Sequence, residues 1–203
     1  MKTLDEIASY WGTDKARWGH NYTELYEELM SPHRQDPVKL LELGWGSGCS
    51  AAAWMEYFQL ADICIVDNLY APGWPISRPS WVEPTPEPPP EFWDNPRLFR
   101  YYGDQADIDV VARVVDQHGE FDFIVDDASH MLSKTKDSFA LLWPHVKPGG
   151  YYFIEDVCRA HLNEIIRMLT QPDPSTPPDP FAFDVRASHH PVDTDFSIAW
   201  IQK

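Results

Sequence analysis

Short apolar runs alternate with longer mixed segments along most of the chain. The runs are rich in Val, Ile, Leu and Phe and span only a few residues, which predicts buried strands. The longer segments between them, such as the Ala-rich stretch 49–59, predict helices. The predicted strands cover residues 38–44, 63–67, 98–102, 121–127, 151–156, 182–188 and 195–202. The predicted helices cover residues 3–11, 21–30, 49–59, 107–117, 134–144 and 160–169, and Lys147–Gly150 is predicted to form a turn before the strand 151–156.

The order of these elements predicts the fold class. Repeated strand–helix–strand units indicate a Rossmann-like α/β fold, with a mostly parallel sheet and helices on both faces. Only a short link separates the last two predicted strands, which indicates a hairpin and one antiparallel strand near the C-terminal end of a seven-stranded sheet. The length suits a single domain, 1–203, in which residues 1–35 form an N-terminal helical cap.

Proline interrupts this pattern in two places. Residues 71–96 include the run Pro88–Pro90, and because proline lacks a backbone donor this insertion is predicted to be neither a helix nor an inner strand. An extended loop of polyproline character is expected instead. Two interpretations of that loop stay open, a substrate lid and a plain insertion. The second proline-rich stretch, 171–180, connects the last helix to the final hairpin.

The charge balance limits the partners. The chain has a formal net charge of −16, which argues against nucleic acid and against an anionic membrane surface. It suits a neutral or cationic small-molecule substrate, although a merely solvated acidic surface is the commoner cause of such a charge. No apolar run approaches the roughly 18 residues of a membrane span, and the N-terminus has no signal-peptide pattern, so we expect a cytoplasmic protein. Homo-oligomerisation stays open.

A glycine-rich loop follows the first predicted strand, and a helix is predicted directly after it. In open α/β sheets ligands bind beyond the carboxyl ends of the strands. Glycines there let a ligand approach the backbone, and the first N–H groups of the helix meet an anionic group. Asp67 ends the second strand, where a carboxylate accepts hydrogen bonds from ribose hydroxyls. Asp104 and Gln105 follow the third strand, where they would flank an adenine.

This combination predicts a nucleoside cofactor, with a purely structural turn as the alternative. A dinucleotide fingerprint would need glycine at position 49, which is Cys49. Glu42 lies two residues before the first glycine, and the resulting E-x-G-x-G-x-G spacing favours S-adenosylmethionine over NAD. The predicted cofactor-binding residues are Glu42, Gly44, Trp45, Gly46, Ser47, Gly48, Asp67, Asp104, Gln105 and Asp127.

Adjacent carboxylates end two later strands, Asp126-Asp127 and Glu155-Asp156. If these strands are neighbours, three of the side chains converge above the sheet, where they repel one another unless protonated or bound to a cation. Oxygen ligands favour a hard ion such as Mg²⁺. The predicted metal ligands are therefore Asp127, Glu155 and Asp156, while alternation turns Asp126 to the opposite face. Ordinary solvated or helix-capping acids are the alternative interpretation.

His130 lies three residues after Asp127. Histidine takes up a proton near neutral pH, so beside an activated hydroxyl it is a candidate catalytic base. The alternative is an ordinary polar residue in a surface loop.

Several segments in order carry a family resemblance. They are Gly12-Thr-Asp-Lys15, His20-Asn-Tyr-Thr-Glu-Leu-Tyr26, the Glu42–Gly48 loop, Gly103-Asp-Gln105, Asp126-Asp-Ala-Ser-His130 and Ile154-Glu-Asp156. Together they resemble the metal-dependent sugar O-methyltransferases of natural-product pathways. The chain differs from that pattern at Ala128, where glycine is expected, at Trp45 in the glycine loop, and in the 71–96 insertion.

The resemblance implies a class I methyltransferase fold, S-adenosylmethionine, Mg²⁺ or another divalent cation, and a hydroxyl acceptor. It implies that Asp127, Glu155 and Asp156 hold the metal and that His130 is the base. It also implies that Tyr22 helps to close the site on the substrate. The functional hypothesis is an O-methyltransferase acting on a small natural product, glycosylated ones included. The alternative is a methyltransferase-fold protein that catalyses cyclisation or isomerisation without methyl transfer.

Overall fold

The computed structural model describes residues 1–68, 90–171, 183–188 and 196–203. Its strands are β1 (Lys39–Leu43), β2 (Asp62–Asp67), β3 (Leu98–Tyr102), β4 (Phe121–Asp126), β5 (Val146–Cys158), β6 (Phe183–Ala187) and β7 (Phe196–Gln202). Its helices are α1 (Leu4–Trp11), α2 (Tyr22–Met30), α3 (Cys49–Tyr57), α4 (Pro90–Trp93), α5 (Ile108–His118), α6 (Leu132–Leu142) and α7 (Leu162–Thr170). Short 3₁₀ helices lie at Ser31–His33 and Trp143–His145.

The seven strands form one sheet in the order β3-β2-β1-β4-β5-β7-β6. Neighbouring strands from β3 to β5 pair in parallel, and β7 pairs antiparallel with both β5 and β6. The predicted α/β fold with one antiparallel strand near the C-terminal end is confirmed. The strand order reverses between β1 and β4, and the carboxyl ends of such a pair are where open α/β sheets bind ligands.

Helices cover both faces of the sheet, which is why its central strands are nearly continuous apolar runs. Leu40 of β1 packs with α1, α2 and α3 on one face. Leu41 and Leu43 pack with α5, α6 and α7 on the other face. All three side chains are no more than 1% exposed.

Helix α1 fixes the start of the segment that leads to the site. Thr3 caps its N-terminus in a capping box with Glu6. Gly12 ends it in the left-handed conformation, at φ +79°, which glycine adopts without steric cost. Leu4 and Ile7 join the core beside the sheet. The chain is thereby directed along residues 13–21 towards the carboxyl edge of the strands.

Two predictions about local structure need correction. The stretch Lys147–Gly150 was expected to be a turn before the strand, but it lies within β5 as an irregularity in the pairing with β4. Its backbone pairs with the chain end instead, because the N–H of Gly149 donates to the carbonyl oxygen of Lys203 (2.6 Å). The end of the proline-rich insertion forms α4 rather than extended chain, since Pro90 stands at the first helical position, where its missing N–H is not needed.

Residues 71–89 of the predicted loop and 172–180 of the predicted connection lie outside the described residues. No helix in the described ranges is both long enough and apolar enough to cross a bilayer.

Candidate active site

A cavity of about 410 Å³ opens at the carboxyl ends of β1, β4 and β5. This volume lies within the range of small-molecule sites. It is lined by the segment after α1, by the glycine loop and by the ends of β2, β4 and β5. The lining residues are Gly12, Thr13, Asp14, Lys15, Trp18, Gly44, Trp45, Gly46, Ser47, Cys49, Ser50, Asp67, Asp127, Ala128, His130 and Asp156.

Gly44 brings the glycine loop into contact with the predicted acidic cluster of Asp127, Glu155 and Asp156. Its φ is +108°, and a Cβ at this position would lie 2.1 Å from the carbonyl oxygen of Asp127. The strand ends are also joined by hydrogen bonds, from Asp127 N–H to the Leu43 carbonyl (2.9 Å) and from Gly44 N–H to the Val66 carbonyl (2.8 Å). Only glycine permits this approach, so the predicted cofactor loop and the predicted acidic cluster share one cavity.

The aromatic ring of Trp45 is accommodated beside the loop. It packs against Trp93 of α4, with ring centroids 5.1 Å apart. Gly48 lies beneath both rings at φ +78°, where a Cβ would come within 3 Å of each. The backbone N–H of Trp45 donates to Asp67 Oδ2 (2.6 Å). Asp67 therefore ties the loop to the end of β2 while also lining the cavity.

Asp127, His130 and Asp156 form a group whose ligand atoms all lie within 4.8 Å of one another. His130 Nε2 is 3.8 Å from Asp156 Oδ2. Tyr22, at the start of α2, donates its hydroxyl to Asp156 Oδ1 (2.8 Å). Tyr22 is only 2% exposed, so its visible role is to hold Asp156.

Backbone strain is concentrated around this group. The non-glycine residues with positive φ among those described are Asn21, His130 and Asp156, at +59°, +52° and +52°. Such conformations cost of order 1 kcal/mol or more each and persist where the surroundings over-determine them, often at functional sites. All three residues belong to the Tyr22–Asp156–His130 neighbourhood.

Glu155 faces away from this group, towards the N-terminal segment. Its Oε1 accepts from the Tyr26 hydroxyl (2.5 Å) and its Oε2 from the Lys15 ammonium (2.8 Å). Of the three predicted metal ligands, the structure thus brings together Asp127 and Asp156 and adds His130, while Glu155 engages Tyr26 and Lys15. Glu155 and Asp156 are successive residues, and the backbone turn at Asp156 sends their side chains to different neighbours.

The Lys15 ammonium lies among three carboxylates. It donates to Asp127 Oδ2 and Glu155 Oε2 and lies 3.4 Å from Glu42 Oε1. Burial opposes the charged form, but Asp127, Glu155 and Glu42 outweigh it and hold the pKa of Lys15 well above its ordinary value. Lys15 is therefore a permanent cation inside the acidic cluster.

Glu42 is buried beside the glycine loop. Its Oε2 accepts from the Ser50 hydroxyl (2.9 Å), whereas Oε1 has no hydrogen bond among the described residues. Burial raises the pKa of Glu42 despite the nearby Lys15 ammonium. Glu42 Oε1 therefore has the Lys15 ammonium 3.4 Å away as an ion-pair partner but no hydrogen bond, so it suits a further donor.

Asp104 and Gln105 do not line the cavity formed by the described residues. Asp104 pairs with Lys134, whose hydrogen bond lowers the pKa of Asp104. Gln105 is buried, donates to Asp126 Oδ1 (2.9 Å) and accepts from the N–H of Ser129 (3.0 Å). Gln105 thereby braces the loop that carries Asp127 and His130.

Asp126 lies on the opposite face of the strand from Asp127, as alternation predicts. It is fully buried and accepts from the Ser138 hydroxyl (2.7 Å) on α6. Burial raises the pKa of Asp126 to about 6. The two adjacent carboxylates therefore have different environments, one in the core and one in the cavity.

Sequence comparison shows the protein family to which the chain belongs. The chain is 32% identical over 166 residues to mycinamicin VI 2''-O-methyltransferase of Micromonospora griseorubida, covering 78% of this chain and 37% of that enzyme. It is 32% identical over 162 residues to L-olivosyl-oleandolide 3-O-methyltransferase of Streptomyces antibioticus, covering 75% of this chain and 36% of that enzyme. The chain is a relative of the sugar O-methyltransferases of natural-product pathways. No protein-family model matches it.

Solved structures agree on the fold of this methyltransferase relative. The MycE methyltransferase of the mycinamycin pathway, in complex with Mg and SAH, superimposes with a TM-score of 0.73 at 24% identity, covering 100% of this chain and 54% of that chain. The fibrillarin pre-rRNA processing protein of Methanococcus jannaschii gives 0.58 at 18% identity, covering 83% and 67%. The fold is therefore that of class I methyltransferases. This chain spans a little over a third of the length of the curated relatives it matches.

Sequence reasoning assigned no role to four residues that the structure places at the site of this sugar O-methyltransferase relative. Lys15 and Trp18 line the cavity, and Tyr26 holds Glu155. His20 stacks on Tyr22, with centroids 5.1 Å apart, and its Nδ1 lies 2.9 Å from Ser188 Oγ. For Lys15, His20 and Tyr26 the signal was present in the segments Gly12–Lys15, which follows α1, and His20–Tyr26, which leads into α2. Glu155 and Ser188, which they contact, are more than a hundred residues away in sequence, so spacing alone does not reveal these contacts.

Proposed function

We propose that this protein is an S-adenosylmethionine-dependent O-methyltransferase that acts on a hydroxyl of a small natural-product molecule with the help of a divalent cation. Sugar hydroxyls are the first candidates, because the relatives named above are sugar O-methyltransferases. The observation that carries the proposal is the single cavity that joins the glycine loop to the Asp127–His130–Asp156 group. The net charge of −16 supports a small-molecule partner rather than nucleic acid or a membrane surface.

The charge of the cavity is complementary to that of the proposed cofactor. Among the described residues, four carboxylates line the cavity, those of Asp14, Asp67, Asp127 and Asp156, together with the ammonium of Lys15. A sulfonium and an α-ammonium are both cationic, and an acid-rich cavity favours them. Glu42 Oε1, which pairs with Lys15 but has no hydrogen bond among the described residues, suits a donor on the methionine part. We assign the cofactor to Glu42, Gly44–Gly48 and Asp67, with Asp104, Gln105 and Asp127 as further predicted contacts.

The acidic group fits a hard divalent cation, since carboxylate oxygens are the ligands that Mg²⁺ prefers. Asp127 and Asp156 would hold it, with His130 in reach and Glu155 as the third predicted ligand behind them. The cation would supply Lewis acidity, which favours loss of the proton from a nearby hydroxyl.

In this proposal His130 removes that proton. Its side chain is 41% exposed and opens to the cavity, so a substrate hydroxyl reaches it from solvent. Asp156 lies beside Nε2 and Tyr22 holds Asp156, which limits the orientations available to the base. Transfer of a methyl group to an oxygen releases one proton, and His130 Nε2 is the atom that takes it. Proton transfer by a positioned residue contributes about 10²–10⁴-fold.

The first test is calorimetric titration of the protein with S-adenosylmethionine and with S-adenosylhomocysteine. We expect one binding site, and no heat of binding at millimolar nucleoside would refute the cofactor assignment.

The second test measures S-adenosylhomocysteine release with a panel of deoxysugar-containing acceptors. EDTA should abolish release and added Mg²⁺ should restore it. His130→Ala should lower turnover about 10²-fold or more with cofactor affinity unchanged. The matched control is His33→Ala, because His33 is similarly exposed but precedes β1 at the opposite edge of the sheet. Full turnover in EDTA would remove the metal from the mechanism, and full turnover in His130→Ala would remove the base.

A further inference from the structure

Lys15 is a buried charged residue that the proposed chemistry does not use. Its side chain is only 3% exposed. Two features fix where it enters the interior. The N–H of Thr23 donates to its carbonyl oxygen (3.0 Å), and Gly19 lets the segment fold back on itself, since a Cβ there would lie 2.0 Å from the carbonyl oxygen of Asp14. The turn between α1 and α2 therefore delivers one ammonium group to the strand ends.

That ammonium contacts carboxylates from three neighbouring strands. Glu42 lies in β1, Asp127 follows β4 and Glu155 lies in β5. Lys15 Nζ donates to the last two and lies 3.4 Å from the first. One ammonium faces three carboxyl groups, and a buried carboxylate is stable only when a proton or a cation compensates it. A further cation beside the cluster is one of these two ways to compensate it.

The hydrogen bonds of Lys15 and Tyr26 divide the acidic residues at the strand ends into an inner and an outer side. On the inner side, both oxygens of Glu155 are engaged, by Tyr26 and by Lys15. On the outer side, Asp127, His130 and Asp156 line the cavity. Asp127 belongs to both sides, because its Oδ2 accepts from Lys15 while its side chain remains 24% exposed.

We infer that Lys15 is a built-in competitor of the divalent cation. Its ammonium engages one oxygen of Glu155 and one of Asp127, adds a positive charge next to the outer side, and so lowers the affinity of the site for the ion. The inference rests on the proposed function in one respect, that a divalent ion binds beside Asp127. Lys15 is a positioning residue and does not take part in the reaction.

The test uses Mn²⁺ as the probe, titrated into the protein while the electron paramagnetic resonance signal of free Mn²⁺ is recorded. Lys15→Met removes the charge, and Lys15→Gln removes it while keeping a hydrogen-bond donor. Because the repulsion between a unit charge and a divalent ion a few ångströms apart is large even in water, we expect the dissociation constant to fall by about tenfold or more in both variants. The control is Lys147→Met, which changes the net charge equally but pairs with Asp122 at the opposite end of the sheet.

Folding is checked by circular dichroism with and without Mn²⁺. A Lys15 variant that folds only when Mn²⁺ is present supports the inference, because the ion then replaces the missing ammonium. Unchanged or weaker Mn²⁺ binding in a folded Lys15 variant would overturn it, and so would two variants that stay unfolded in Mn²⁺.

The Mn²⁺ titration distinguishes a failure of the proposed function from a failure of the inference about Lys15. If the wild-type protein binds Mn²⁺ and the Lys15 variants bind it no more tightly, the inference falls and the metal assignment stands. If only the Lys15 variants bind Mn²⁺, the inference stands and the metal part of the proposed function falls. Absence of binding in all proteins would overturn both.

Discussion

Gly44→Ala should separate the glycine loop from the acidic cluster. The added Cβ would lie 2.1 Å from the carbonyl oxygen of Asp127, whereas ordinary contacts lie at 3.4–4 Å. The two strand ends must then move apart by more than about 1 Å, well beyond what a close-packed interior absorbs without loss. The φ of +108° adds strain of about 1–3 kcal/mol for any residue with a side chain.

The displaced strand ends should also lose hydrogen bonding. Asp127 N–H donates to the Leu43 carbonyl and Gly44 N–H donates to the Val66 carbonyl. Each such bond contributes about 0.5–1.5 kcal/mol. With the strain at position 44, we expect the free energy of unfolding to fall by about 3–4 kcal/mol. Because Asp127 moves, affinity for Mn²⁺ should fall about tenfold or more, which corresponds to about 1.4 kcal/mol.

Gly46→Ala is the matched control. Gly46 lies in the same loop at φ +49°, but no heavy atom of the described part of the chain would lie within 4 Å of a Cβ at this position. It should cost only the left-handed backbone penalty of about 1–2 kcal/mol and leave Mn²⁺ affinity within about twofold, roughly 0.4 kcal/mol. Urea denaturation and Mn²⁺ titration measure the two effects. Equal stability losses in the two variants, or unchanged Mn²⁺ affinity in a folded Gly44→Ala protein, would refute the close-approach argument.

Two further predictions concern stability. Burial lowers the pKa of His118, whose Nε2 lies 2.7 Å from the Tyr101 hydroxyl. Below about pH 6.5 the unfolded chain therefore binds a proton at this histidine more readily than the folded protein does. The free energy of unfolding should then fall with pH, with a slope of at most about 1.4 kcal/mol per pH unit. In His118→Gln this loss should be shallower in urea denaturation between pH 7 and 5, and identical slopes would contradict it. Tyr22→Phe removes a hydrogen bond to the Asp156 carboxylate and should cost about 1.5–3 kcal/mol in the same assay at pH 7. A loss below 0.5 kcal/mol, about the noise of surface substitutions, would show that Tyr22 does not hold Asp156.

The sequence predicts the sheet well because its central strands are buried on both faces. β1 and β4 therefore appear as apolar runs, and the residues directly after such runs must lie at the carboxyl edge. The period of two also separates Asp126, which bonds Ser138 in the core, from Asp127, which lines the cavity. These features depend only on neighbouring positions, so a single sequence suffices.

The same reasoning does not anticipate the partners of Glu155. Its contacts with Lys15 and Tyr26 join residues 140 and 129 positions apart, and no local periodicity encodes them. The turn between α1 and α2 decides them, and it depends on a close backbone approach at Gly19. An isolated glycine in a polar segment predicts a turn but not where the turn delivers its neighbours.

The departures from regular structure coincide with the chemistry. Sequences that specify a fold satisfy local preferences nearly everywhere, and their exceptions tend to lie at functional sites. Here the strained residues His130 and Asp156, the buried ammonium of Lys15 and the unsatisfied oxygen of Glu42 all lie at the carboxyl edge of β1, β4 and β5. A fold selected for stability alone would relieve strain and buried charge at such positions, for example by glycine at 130 or an apolar pair at 15 and 155. Their joint presence at one edge of the sheet, in and beside the cavity, is therefore better explained by ligand binding than by packing.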